Sequence, residues 1–409
     1  MRHLFAAALL LLPITAAQAQ IAANNSLVIV HANVIDGIGN APTMDATVVV
    51  KDGRIERIDR SAPPADATVV DIKGHWLLPG FVDAHTHIGD MESARRAARS
   101  GATTVRVLGV DHFADLGLRE LNHAGVPDVP DVIGAGYHVR PHPSSAFFLD
   151  FPQASEMLGG LRGPDQVRWM VRALASRGVN VIKVMATERA GTPDTNPRVR
   201  VFNDEELAAI VDEAKAANLR VAAHAHGEEG AAAAVKAGVL SIEHGTWLND
   251  ETLRQMKDKG VYLVPTLVAT HDLAEPGGDY DNPVLQIRGR AMLRTAKEMV
   301  ARAWKIGVKI VAGTDTGYLA RSNDRLPDEI VAIAECGVPA LEALKAGTSL
   351  AAELLGVGTR TGAIKPGYEA DLVVIERNPL DDIRNVRDVL MVVNNGKVIV
   401  NDFNIAPKP

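Results

Sequence analysis

Gly80-Phe81-Val82-Asp83-Ala84-His85-Thr86-His87 is a short apolar strand that ends in a cluster of polar residues. Two histidines at i and i+2 lie on the same side of an extended chain, so both imidazoles face one way. Seven more strand-length apolar runs follow, at 104–107, 132–133, 181–184, 219–222, 240–242, 261–264 and 308–311. Helical patterns separate most of them. In 204–217, Leu207, Ile210, Val211 and Ala214 share one face. Asn203, ahead of Asp204-Glu205-Glu206, supplies an N-cap with acids in the first turn. Eight strand-helix pairs predict an α/β fold, a (β/α)8 TIM-like barrel over residues 79–362.

The flanks have a different rhythm. Residues 20–78 carry β-branched runs at 27–30, 46–50 and 68–70, and Asp52-Gly53 reads as a hairpin turn between Val50 and Ile55. Residues 363–409 repeat the style, with 371–375, 389–393 and 397–400 and a turn at Asn394-Asn395-Gly396. The two ends are expected to pair as one small β-sandwich. Residues 1–19 stand apart: a basic start, an apolar run from Leu4 to Ile14, and Ala17-Gln18-Ala19 as a cleavage site. They read as a signal peptide cut after Ala19. The mature chain is then secreted or periplasmic, without stable membrane insertion.

Composition narrows the function classes. The chain has 409 residues, 47% of them hydrophobic and 23% charged, enough apolar content for a large core. A net charge of −7 with no Lys/Arg block argues against nucleic acid as a partner. Aromatics at 4% argue against a stacking platform for bases or long glycans. Cys336 is the single cysteine, so an internal disulfide and a thiolate-based zinc site are excluded. It reads as a small buried apolar residue. Self-association into a homo-oligomer is compatible with all of this.

In a barrel of this kind the chemistry sits at the C-terminal ends of the strands. Those ends carry His85 and His87, Lys183, His224 with His226, His244, and Asp315. Each has an ordinary explanation alone: a hydrogen-bonded histidine, a snorkelling lysine, a helix-capping aspartate. Together they would gather partly buried polar groups at one place without reason. Imidazole plus carboxylate, without thiolate, suits zinc, manganese, iron or nickel.

The stretch 80–87 resembles the opening motif of the amidohydrolase superfamily of metal-dependent hydrolases. The resemblance runs over nearly all of the mature chain. It includes Pro79-Gly80, Lys365-Pro366-Gly367, Ala370-Asp371-Leu372-Val373-Val374 and Asn395-Gly396-Lys397-Val398. Lys183, Ala222-Ala223-His224-Ala225-His226-Gly227 and Ile242-Glu243-His244-Gly245-Thr246 are similar to the Xaa-Pro dipeptidase, or prolidase-like, branch, which also holds ochratoxinase-type amide hydrolases. The resemblance implies two divalent metal ions, zinc foremost. His85, His87 and Asp315 would bind the more buried one. His224 and His244 would bind the other, with His226 as competitor for the place of His224. Lys183 would bridge them as a carbamate. Asp315 would also be the proton carrier while a metal-activated hydroxide attacks the amide.

Tyr137 and His138, at the end of strand three, are candidates to support the oxyanion. Arg140 suits a substrate carboxylate, and His142, His271, Tyr318 and Arg321 are further candidates for substrate contact. The long loop from Glu188-Arg189 to Arg198 reads as a lid. The expected substrate is a small-molecule amide: a dipeptide, an N-acyl amino acid or an ochratoxin-type compound. Two alternatives stand beside it. One is a cyclic amide or lactone hydrolase, like the imidazolonepropionases, whose branch uses one metal and lacks the strand-four lysine. The other is a non-catalytic exported binding protein.

Overall fold

The computed structural model describes residues 26–404 apart from 40, 66, 323 and 324. The expected leader, 1–19, lies outside the described residues. Five strands come first: β1 Ser26–Val34, β2 Thr43–Lys51, β3 Arg54–Asp59, β4 Thr68–Asp71 and β5 Trp76–Pro79. The alternating region follows with β6 Phe81–Thr86, β7 Ala102–Val107, β8 Asp131–Gly134, β9 His138–Val139, β10 Val181–Met185, β11 Arg220–Ala225, β12 Ser241–His244 and β13 Tyr262–Val264. The last strands are β14 Leu372–Ile375, β15 Val389–Asn394 and β16 Lys397–Asn401.

Helices separate the parallel strands. They are α1 Met91–Arg99, α2 Ala114–His123, α3 Ser145–Asp150, α4 Gly163–Ser176, α5 Asp204–Ala216, α6 Glu228–Ala237, α7 Asp250–Lys259, α8 Leu267–Ala274, α9 Pro283–Ile306 and α10 Leu326–Glu335. Helix α5 begins where the sequence places it. Asn203 accepts from the Glu206 N–H, and Glu206 returns a bond to the Asn203 N–H, a complete capping box.

Strands β6, β7 and β8 are parallel neighbours, and β9 to β13 form a second parallel set. The chain passes from β8 to β9 through a bend at Gly136, whose φ of 63° is left-handed. The segment 308–316 lies between the two sets. Val311 N–H donates to Leu263 O at 2.9 Å, Ala84 N–H to Ala312 O at 3.1 Å, and Asp315 N–H to His85 O at 2.7 Å. Hydrogen bonds thus run from each parallel segment to the next and return to β6. Segment 308–311, expected as a regular strand, forms no continuous ladder among the described residues; beside the hydrogen bonds above it makes the bridge Leu263–Ile310, with Thr86–Thr316 further on. The left-handed φ of 56° at Asp315 breaks its regularity. Gly313 lets it pass: a Cβ there would sit 2.6 Å from Val264 and 2.9 Å from His85.

Both chain ends enter one eight-stranded sheet, in which β5 pairs antiparallel with β14. The sheet curls until its far parts meet. Ile55 N–H donates to Tyr368 O, and Ala370 N–H to Gly53 O, both at 2.8 Å. Alternate residues of both ends bury in one cluster that includes Ile29, Val48 and Ile55 with Leu372, Val374 and Met391. Removing one such side chain costs about 2–5 kcal/mol. The N-terminal strands therefore depend on the C-terminal ones for their core.

Asp371 sits in the junction between the end sheet and the parallel strands. It is buried, accepting from Thr361 Oγ1 at 2.6 Å and from Asn395 N–H at 2.9 Å. Burial, with the charge of Asp131 beside it, pushes its pKa up to about 7. A carboxyl raised on folding adds stability below its unfolded pKa, and that contribution is lost as pH rises through about 7. Wild type should therefore lose more Tm than Asp371→Asn between pH 5.5 and pH 8.5. Parallel thermal unfolding curves of the two proteins across that range would show that Asp371 does not titrate in this way.

Candidate metal centre

The strand ends bring the polar residues together. His85 and His87 leave β6 on one side, as the i, i+2 spacing requires. Lys183 is in mid-β10, level with His138 of β9 and Ala222 of β11. His224 and His226 follow at the end of β11. His244 closes β12 with a φ of 74°, and Asp315 has a φ of 56°. Left-handed backbone is uncommon for such residues and marks positions where geometry is imposed from outside. At His244 the twist turns the imidazole to the mouth directly after Glu243 points into the interior.

Proton positions follow from the partners. Glu243 Oε1 accepts from the Arg106 guanidinium at 2.9 Å and from Ser241. Its Oε2 faces His85 Nδ1 at 2.9 Å. A carboxylate held by a guanidinium only accepts, so His85 Nδ1 carries the proton and Nε2 keeps its lone pair. His87 Nδ1 donates to Gly109 O at 2.7 Å, which leaves its Nε2 in the same state. Both Nε2 atoms face Asp315 Oδ1, at 3.3 Å from His85 and 2.9 Å from His87. Lys183 Nζ lies 3.2 Å from His85 Nε2. Acceptors that converge in this way repel one another unless a cation sits among them, and the set fits a divalent metal.

A second group adjoins it. His224, His226 and His244 bring ring nitrogens within 4.8 Å of one another, and ring nitrogens of His85 and His244 lie equally close to each other and to a carboxylate oxygen of Asp315. His244 Nδ1 is bonded to Thr266 Oγ1 at 2.7 Å, His226 Nδ1 to Thr246 Oγ1 at 2.9 Å, and His224 Nε2 to Glu188 O at 3.1 Å. Each ring thus keeps one nitrogen for a ligand role. Burial holds His85, His224 and His244 well below the ordinary imidazole pKa and takes His226 down to about 3. The rings are neutral, as metal ligation requires. Burial also lowers Lys183 to about 8, so more of its amine is uncharged near neutral pH than in an exposed lysine, and that fraction is open to reaction with carbon dioxide. Burial alone would raise Asp315, but His85, His87 and Lys183 around it keep the carboxylate ionised.

The cluster opens into a cavity also lined by His138, Arg189, Thr270, Leu273, Tyr280 and Met292. A second cavity, of about 280 Å³, adjoins through His87, His138 and Arg189 and adds Arg140 and Asp111. His138 is where the sequence puts it, and neither ring nitrogen has a hydrogen-bond partner among the described residues. Arg140 lies beside it. Neither Arg140 nor Arg189 has an ion-pair partner among the described residues.

Other expectations are corrected. Tyr137 borders the second cavity, but its hydroxyl donates to Asp150 at 2.5 Å and accepts from His112 N–H at 2.8 Å. Its one proton is committed, so it cannot support an oxyanion. Neighbouring β-residues point oppositely, and Tyr137 packs among Phe113 and Phe147. Tyr318 is wholly buried and donates to Asp83 Oδ2 at 2.8 Å. It supports the loop of Asp83 and Thr314 rather than touching substrate. His142 is exposed beside Gly160, and His271 is exposed on α8; neither lines the cavities. Arg321 pairs with Asp279 at the surface. Sequence reasoning missed Tyr280, which comes from the α8–α9 connection without any motif around it. It also missed the supporting roles of Arg106 and Glu243, although Glu243 stands beside His244 in the quoted motif.

Residues 76–399 match the Amidohydrolase family. Ochratoxinase of Aspergillus niger is 31% identical over 349 residues, 75% of this chain and 72% of that protein. Its crystal structure superposes with a TM-score of 0.78 at 28% identity, covering 92% of this chain and 96% of that one. A crystal structure of a Xaa-Pro dipeptidase with methionine bound in its active site gives a TM-score of 0.82 at 27% identity, over 92% of this chain and all (100%) of the other. Imidazolonepropionase of Kosmotoga olearia is 25% identical over 394 residues, 87% of this chain and 91% of that protein.

Glu243 fixes the tautomer of His85 without facing the cavity. Glu243→Gln should weaken divalent-metal affinity about 10–100-fold, as removal of such supporting partners does. Competition with a chelator would measure this directly. Unchanged affinity would show that His85 is oriented by something else.

Proposed function

The chain belongs to the amidohydrolase family, and we propose that it hydrolyses an amide bond next to a carboxylate at a centre of two divalent metals. The observation that carries the proposal is the convergence of His85, His87 and Asp315 lone pairs beside Lys183, with His224 and His244 adjoining. In this assignment His85, His87 and Asp315 would hold one ion and His224 and His244 the other, with Lys183, as a carbamate, available to both. His226 supports the second group. The ring of parallel segments is taken as a (β/α)8 barrel over 79–362, and the curled sheet of 20–78 and 363–409 as a β-sandwich. The leader supports export, to the periplasm or outside the cell.

Divalent ions held there, zinc by the donor set, would supply Lewis acidity and acidify water. The residues do the rest. Asp315, held as a carboxylate, accepts a proton as water attacks and passes it to the departing nitrogen. His138, neutral and with free ring nitrogens, donates to the oxygen of the tetrahedral species. Arg140 and Arg189 hold the substrate carboxylate, since two unpaired guanidinium groups beside the centre suit a planar anion. Dipeptides, N-acyl amino acids and ochratoxin-type amides share that carboxylate. The likeness to imidazolonepropionase favours a second substrate class, a cyclic amide.

Metal analysis of purified protein should return about two divalent ions per chain. Lys183→Ala should lose one ion and nearly all turnover while keeping its fold. Acetate or propionate, added with metal, should restore part of the turnover to that variant and none to His85→Ala. Full activity of unsupplemented Lys183→Ala would remove Lys183 from the centre. Asp315→Asn keeps an oxygen but cannot carry a proton, so turnover should fall about 10²–10⁴-fold. Retained metal with near-wild-type turnover would assign the proton to another group.

A further inference from the structure

The cavity walls carry an asymmetry of charge. On the side of Arg140 and Arg189 the wall is cationic. Next to Arg189 the lining turns apolar: Ala190, Leu273 and Met292 pack in one cluster with Tyr280 and Trp247 partly buried against it. Asp315 and Asp111 are the acids that line the two cavities. Asp315 belongs to the metal cluster. Asp111 lies on the arginine side and accepts from Ser144 Oγ at 2.9 Å. Two further acids, Asp272 and Asp279, stand near Tyr280, and neither lines the two cavities. Asp272 accepts from Asp279 N–H at 2.8 Å, and Asp279 accepts from Ser322 Oγ and pairs with Arg321.

We infer that this site selects amides whose acyl half is apolar and lacks a free amino group, so that N-acyl amino acids are preferred over dipeptides. The inference rests on the proposed amide hydrolysis and narrows its substrate class. With the carboxylate on Arg140 and Arg189 and the scissile carbonyl at the centre, the acyl group lies against Ala190, Leu273, Met292 and Tyr280. A dipeptide would place its α-ammonium there. Thr270 and Tyr280 offer hydroxyls, which bind a neutral polar atom but do not offset a full charge. An apolar or aromatic acyl group loses nothing on entering and gains burial. The divalent ions add further positive charge, which repels the ammonium and attracts the single negative charge of an N-acyl amino acid.

The test is a matched pair. 3-Phenylpropanoyl-leucine and phenylalanyl-leucine share one skeleton and differ in the α-amine, and the same pair is made with phenylalanine and proline as the leaving residue. The metal-loaded enzyme should cleave the acyl compounds with kcat/KM about 10–100-fold higher at pH 7, the cost of an unpaired buried charge. That ratio should shrink as pH rises through about 8, where the dipeptide's amine loses its proton. Titrations of the enzyme cancel in the ratio. A ratio near one or inverted, or one that does not change with pH, would overturn the inference while leaving amide hydrolysis in place. Cleavage of neither member in all three pairs would remove the proposed reaction and the inference with it.

Discussion

A carboxylate buried beneath the clustered histidines organises the candidate centre. Glu243 is wholly buried and is bonded by Arg106, Ser241 and His85. Arg106 reaches it from β7 and also donates to Ala84 O at 2.6 Å. One ion pair thus links β6, β7 and β12 through the interior. Breaking a buried pair by removing one partner costs about 3–5 kcal/mol, because the other charge is left unpaired. Such a pair is a poor investment for stability alone, since apolar residues would fill the space as well. Its return lies in direction: it sets which nitrogen of His85 carries the proton and where the other lone pair points.

The same logic explains where the backbone is strained. A strand can present only alternate side chains to one face, yet β12 must place Glu243 inside and His244 at the mouth. Regular pleating cannot do both. The left-handed φ at His244, followed by Gly245 at 67°, resolves the conflict. Asp315 is turned in a similar way, and its neighbours carry the cost. Asp83 accepts from Thr314 N–H and Oγ1 and from Tyr318, and burial pushes its pKa up to about 6. The Asp83 of the opening motif is therefore the brace that holds the Asp315 loop against β6.

How much of this could be read in advance follows from what each residue's position depends on. The alternation of strands and helices, the histidine spacing and the pairing of the two chain ends rest on local periodicity, and the strands lie where the pattern places them. Residues 308–311 departed from it because Gly313 and Asp315 obey the packing against His85, which no local pattern encodes. Tyr137 and Tyr318 misled for a shared reason. A tyrosine near a strand end has a ring that can turn to the mouth or to the helix layer, and Asp150 and Asp83 decide the matter from far along the chain. Tyr280 and Arg189 owe their place to long connections, whose course depends on tertiary contacts.

This division between strands and connections has a chemical meaning. The candidate metal ligands come from β6, β10, β11 and β12 and the 308–316 segment, where neighbouring strands fix the backbone by hydrogen bonds. Arg140, Arg189, Leu273 and Tyr280, which line the adjoining cavities, come from the connections after β9, β10 and β13. Arg288, on α9, clamps one of these connections by donating to the carbonyl oxygens of Ala190, Thr192, Pro193 and Thr195. That single guanidinium ties the Arg189 loop to the helix that carries Met292. The cationic anchor and the apolar wall are thereby set by one rigid contact, while the metal centre is set by another. Loops held in this way can vary in sequence while the strands that carry the cluster stay fixed, so specificity can change on one scaffold.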